Sequence, residues 1–132
     1  MIKKLKEISE QSYSPYSNFK VSAILEERNG DIHCGVNIEN MAFPSSMCAE
    51  RVAIGVARMN RANFKEIINV HIFSPNADFF LAPCGSCRQV LTEHLNIKTN
   101  IYMYSNNSEK KVMTLEELVP EAILPKSLEG GK

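Results

Sequence analysis

The chain has 132 residues, a length that fits one domain (1–132) with a real core and stops short of where chains usually split. Its 15 Lys+Arg balance 15 Asp+Glu, so charge recommends no polyanionic partner and a polynucleotide substrate is disfavoured. The N-terminal lysines have no continuous apolar stretch behind them and no segment approaches membrane-spanning length, which argues against a signal peptide or a membrane span and predicts a cytoplasmic protein.

Ile2, Leu5 and Ile8 recur at helical spacing, and Pro15 with its Ser and Asn neighbours ends the pattern, which predicts a helix over 2–13. "FKVSAILEE" alternates Phe19, Val21 and Ala23 on one face of a strand, and the Asn-Gly pair of "RNGD" predicts a tight hairpin. The partner strand "DIHCGVNIE" sets Ile32, Cys34, Val36 and Ile38 on one face and His33, Gly35, Asn37 and Glu39 on the other. After the loop "NMAFPSSM", "CAERVAIGVARM" reads as a helix apolar around most of its circumference, ending near Asn60. "IINVHIF" reads as a buried strand, "CGSCRQVLTEHL" as a helix opening at the cysteines, and "TNIYMYS" as another strand. "TLEELVP" reads as a short helix that Thr114 could cap, followed by a frayed "SLEGGK" tail. The order α-β-β-α-β-α-β-α predicts an α/β fold, a single mixed β-sheet with helices on both faces, whose crossovers after the hairpin demand parallel neighbours.

In a reducing compartment the four cysteines are expected to be metal ligands or catalysts, not disulfides. Cys84 and Cys87 lie three apart at a helix start, so they share a face, and the helix N-terminus favours their thiolates. Cys48 completes a three-cysteine set that leaves the fourth position of tetrahedral zinc to water, as catalytic sites do. Cys34 sits in the apolar register of its strand and reads as a core thiol. A redox Cys-x-x-Cys would be expected after the first or second strand, and here it opens a late helix.

Cys48 and Glu50 are about 200° apart around a helix, so both can face one metal only from the helix tip. There the carboxylate can reach a metal-bound water without ligating the metal, as a general base. Three thiolates around Zn²⁺ leave a net negative site, and Arg51 and Arg88, each next to a ligand cluster, are placed to donate hydrogen bonds to the sulfurs. His33, His71 and His94 have no ligand spacing and read as bystanders.

"YSPYSNFKVSA", "NIEN", "CAER" and "PCGSCRQVL", in this order and with "LEELVP" near the end, resemble the cytidine deaminase family, in its small zinc-dependent form with three cysteine ligands. The resemblance implies that Cys48, Cys84 and Cys87 hold zinc and that Glu50 shuttles protons while water replaces the amino group of cytidine or deoxycytidine. It maps ribose contacts to Asn37 and Glu39, a base-reading peptide to Ala49, a ring against the pyrimidine to Phe19, and a further substrate-site ring to Phe43. It also implies a homotetramer serving pyrimidine salvage. The sequence departs from the family pattern where Ile123 replaces an aromatic residue lent to a neighbouring subunit, where Phe43 replaces a frequent tyrosine near a subunit boundary, and at Ser22, a usual glycine. The rival readings are a deaminase of another aminopyrimidine nucleoside, such as a nucleoside antibiotic, and a non-catalytic zinc-stabilised binding module. "NIEN" argues against the first, and an open site with Glu50 against the second.

Overall fold

In a computed structural model of the chain, which describes residues 1–126, five strands make one mixed sheet. They are β1 (Ser22–Glu27), β2 (Ile32–Val36), β3 (Ile67–Phe73), β4 (Asn100–Tyr104) and β5 (Lys110–Thr114), in the order β2-β1-β3-β4-β5. The helices are α1 (Ile2–Ser9), α2 (Ala49–Met59), α3 (Gly85–His94) and α4 (Leu115–Leu118). The "SLEGGK" tail lies outside the described residues.

Side chains alternate across the sheet and divide the core in two. Ala23 and Leu25 of β1, Val70 and Ile72 of β3, and Ile101 and Met103 of β4 pack with α2, α3 and α4 on one face. On the other face, Ile24, Phe73 and Tyr104 pack with Leu5 and Ile8 of α1. Helices therefore cover both faces, as the sequence predicts. Cys34 is half-buried beneath α1 and packs against that smaller cluster.

The strand directions refine the expectation of parallel neighbours. β1 is antiparallel to both β2 and β3, and only β3 and β4 are parallel. β2 and β3 thus point the same way, but the α2 crossover between them steps over β1. β5, which the sequence reading misses, pairs antiparallel with β4 at the sheet edge, where its lysines face solvent.

Three local boundaries also move. α1 ends at Ser9, because the chain then turns back to bridge Ile38, with Tyr13 N–H donating to Asn37 O at 3.1 Å. β1 begins at Ser22, because the Phe19 and Val21 N–H groups are bonded to Ser17 Oγ and Asn37 Oδ1 instead of joining the ladder. α2 is amphipathic where an all-round apolar helix is expected: Ala49, Ala53, Ile54 and Ala57 are buried, while Gly55, Arg58 and Met59 face solvent. Its alanine stripe lies close to β2, where Gly35 alone leaves room for it. A Cβ on Gly35 would stand 2.4 Å from both Ala49 O and Ala53 N. Thr114 caps α4 in a reciprocal box with Glu117.

Candidate metal centre

Cys48 is the N-cap of α2 and Cys84 the N-cap of α3, with Cys87 one turn further along. Two helix N-termini therefore meet at one point, and the three sulfurs lie within 4.8 Å of one another. Cys87 is buried, Cys48 half-buried and Cys84 exposed, so the cluster opens to one side. Tetrahedral zinc with Zn–S bonds of about 2.3 Å separates its sulfurs by about 3.8 Å, which this spacing accommodates.

Hydrogen bonding from Cys87 draws the Cys48 thiol down to about 6, while its bond to Cys48 and its burial push Cys87 up. Three thiolates at this spacing would repel one another, and a positive ion between them would offset that repulsion. Arg51 Nε is buried without a hydrogen-bond partner among the described residues, and Arg51 Nη2 donates to Ser86 Oγ. An unpaired buried donor one turn into the Cys48 helix suits a site that gains electron-rich thiolates. Arg88, expected to serve the sulfurs, directs Nε to Pro83 O at 2.8 Å and Nη1 to Leu118 O at 3.0 Å. Its observed bonds brace the turn that presents Cys84.

Glu50, the second residue of α2, is 4% exposed. Burial pushes its carboxyl above the usual carboxylate range, and the nearby Cys48 adds to this against hydrogen bonds from its own N–H and Cys87. Ala49 precedes Glu50, with an N–H that has no acceptor within the helix.

A cavity of about 250 Å³ opens from the sulfurs. Cys48, Cys84, Ala49 and Glu50 line it, together with Asn37 and Glu39, just past β2, as the strand register predicts. Val21, Ile72, Leu81 and Ala82 supply apolar walls, with Ser46 and Met47 beside them. Sequence reasoning passed over these six. Leu81 and Ala82 were accessible to it, since they immediately precede Pro83-Cys84, whereas Ile72 reaches the site only through the strand order.

Two expected pocket residues stand outside the lining. Phe19 is half-buried and contributes its carbonyl, which accepts from Asn37 Nδ2 at 2.8 Å, because its main chain is tied to the Asn37 side chain. Phe43 is 70% exposed and meets Tyr16 edge to face. The histidines lie away from the cluster. His33 pairs with Glu27 at 2.7 Å, His71 with Glu26 at 2.9 Å, and His94 bonds Arg58.

Three convergent cysteines with an open side and a buried acid have the make-up of a catalytic metal site, as opposed to a closed structural one. Residues 1–104 match the family model for the cytidine and deoxycytidylate deaminase zinc-binding region. The cytidine deaminase of Mycoplasma genitalium is 38% identical over 119 residues, 90% of this chain and 89% of that protein. That of Sporosarcina psychrophila is 34% identical over 97% of this chain and 92% of its own length. The crystal structure of cytidine deaminase from Burkholderia pseudomallei superposes with a TM-score of 0.87 at 31% identity, covering 92% of this chain and 95% of that one. The chain belongs to the cytidine deaminase family.

Proposed function

We propose that this chain is a zinc-dependent hydrolase that converts cytidine and 2'-deoxycytidine to the corresponding uridines with release of ammonia. The observation that carries this reading is the juxtaposition in one cavity of the three sulfurs, the buried Glu50 and the Asn37–Glu39 pair. Cys48, Cys84 and Cys87 hold the zinc, which supplies the electrophilic centre that activates a water. Glu50 would pass one proton of the attacking water to the ring nitrogen and then the second, from the new hydroxyl on the ring carbon, to the amine as the C–N bond breaks and ammonia leaves, a role suited to a carboxyl whose burial raises its proton affinity. The Ala49 peptide reads the polar edge of the base, and Asn37 and Glu39 grip the sugar. Hydrogen bonds from Ser17 hold the Glu39 carboxyl below its ordinary range, so the sugar end carries a negative charge that suits a nucleoside better than a phosphorylated nucleotide.

The enzyme works as one catalytic domain in cytoplasmic pyrimidine salvage, assembled as a homotetramer. Met41 and Phe43, in the loop leading to Ser46 and Met47, and Ile123 are exposed and offer apolar surface for a second copy to cover. The decisive experiment follows the ultraviolet absorbance of cytidine, deoxycytidine and free cytosine with zinc-loaded protein. Rapid loss of both nucleosides, with cytosine a poor substrate, is expected. Loss of none refutes the reading.

A further inference from the structure

The side chains proposed to hold the sugar are themselves held by the segment that precedes β1. Asn37 Oδ1 accepts from Val21 N–H at 2.9 Å and from Ser12 Oγ, which fills the two lone pairs of an amide oxygen. Its Nδ2 gives one hydrogen to Phe19 O and keeps one for the cavity. Glu39 Oε1 accepts from the N–H groups of Tyr16 at 3.0 Å and Ser17 at 3.2 Å, and Oε2 accepts from Ser17 Oγ. Ser17 Oγ in turn accepts from Phe19 N–H at 3.0 Å, so its single proton is committed to the carboxylate. Of roughly four acceptor positions on a carboxylate, one remains, on Oε2.

We infer that Ser12 and Ser17 are positioning residues of the sugar site, fixing Asn37 as a donor and Glu39 as an acceptor so that the pair recognises a hydroxyl that accepts from one and donates to the other. This rests on the nucleoside reading of the cavity. Without Ser12 the amide loses one of the two bonds on Oδ1 and is held only by the Val21 N–H and the Phe19 carbonyl, so its remaining N–H is aimed less firmly at the sugar. Without Ser17 the carboxylate loses the group that holds Oε2 in place. Neither change touches the sulfurs or Glu50, so the effect falls on recognition of the sugar.

The test measures kcat and KM of Ser12→Ala and Ser17→Ala on cytidine and on 2',3'-dideoxycytidine, which lacks the 2'- and 3'-hydroxyls, with zinc content and melting temperature recorded for each protein. Loss of one hydrogen bond to an oriented or charged partner corresponds to about tenfold, so kcat/KM on cytidine is expected to fall about tenfold, mainly through KM. On the dideoxynucleoside it should fall less than twofold, and Ser12→Thr and Ser17→Thr, which keep the hydroxyl, should recover most of the loss. Equal losses on both substrates, or threonine variants as impaired as the alanine ones, overturn the inference and make the serines supports of the fold alone. A wild-type enzyme that consumes cytidine and the dideoxynucleoside equally well refutes instead the assignment of Asn37 and Glu39 to the sugar, and the role of the serines with it.

Discussion

Replacing Gly35 by alanine probes how the fold sets the position of the catalytic helix. The new Cβ would lie 2.4 Å from Ala49 O, 2.4 Å from Ala53 N and 2.9 Å from Ala53 Cα, where ordinary contact begins at 3.4 Å. All three are main-chain atoms of the first two turns of α2, so no side chain can swing aside and the helix has to lift by about 1.0 Å, the difference between 3.4 and 2.4 Å. Overpacking of this kind costs about 1–3 kcal/mol, and relief of glycine's backbone entropy returns about 0.5–1 kcal/mol, which leaves a net loss of roughly 1–2 kcal/mol when the clash is with backbone. The loss in rate should be larger in proportion. Cys48 and Glu50 flank Ala49, ligand distances tolerate only about 0.2 Å, and a misplacement of about 1 Å costs roughly 10²-fold in turnover.

Urea unfolding and turnover of zinc-loaded protein measure the two effects, with Gly55→Ala as the control. Gly55 lies on the exposed side of the same helix with nothing within 4 Å of its Cβ position. That change should stabilise by about 1 kcal/mol and leave turnover alone. A Gly35→Ala protein within about 0.5 kcal/mol and threefold of the parent would refute the reasoning, since it would show that α2 can move without disturbing the site.

Metal analysis should give one zinc per chain, lost in Cys48→Ser and kept in Cys34→Ser, because Cys34 lies under α1 and outside the cluster; a Cys34→Ser protein without zinc would contradict this. Glu50→Gln should keep its zinc and lose about 10⁴-fold in kcat, the top of the range for acid-base catalysis, since one carboxyl serves several proton transfers; loss of zinc would instead make Glu50 a ligand or a structural group. Burial lowers the proton affinity of His71 against the opposing pull of Glu26, so the unfolded chain binds this proton more readily than the folded one. The stability that neutral His71 contributes is therefore full above pH 6.5 and falls as the pH drops below it, and His71→Gln should flatten that part of a denaturation-midpoint profile measured from pH 7.5 to 5. An unchanged slope would remove His71 from the pH dependence.

What the sequence made legible was local. Cys48 and Glu50 on one helix tip, Cys84 and Cys87 across one turn, the Asn-Gly hairpin and the Thr114 cap each depend on residues a few positions apart, and each stands where the spacing puts it. The misread features depend on distant partners. α2 looks apolar all round because Ala, Val, Ile and Gly crowd its sequence, and only its seat on Gly35 tells which side is buried. β5 carries no buried face of its own, since it is an edge strand, and so lacks the alternation that marks a strand. Arg88 bonds a carbonyl 30 residues away, which no local pattern could disclose.

That displaced arginine changes how the charge at the centre is balanced. Three thiolates and a divalent zinc sum to one negative charge, and the sequence assigned two arginines to offset it. In the fold, Arg51 remains near the sulfurs while Arg88 braces main-chain carbonyls, but Cys48 and Cys84 each cap a helix N-terminus. Each helix end carries the equivalent of about half a positive charge within its first turn. Two such ends, aimed at one point, offset about one unit and do so with backbone dipoles that need no reorganisation during reaction. The three-cysteine set is then compatible with an electrophilic metal because both helices begin at the cysteines proposed as ligands, and the same geometry places Glu50 in the first turn, where it could serve the proposed proton transfers.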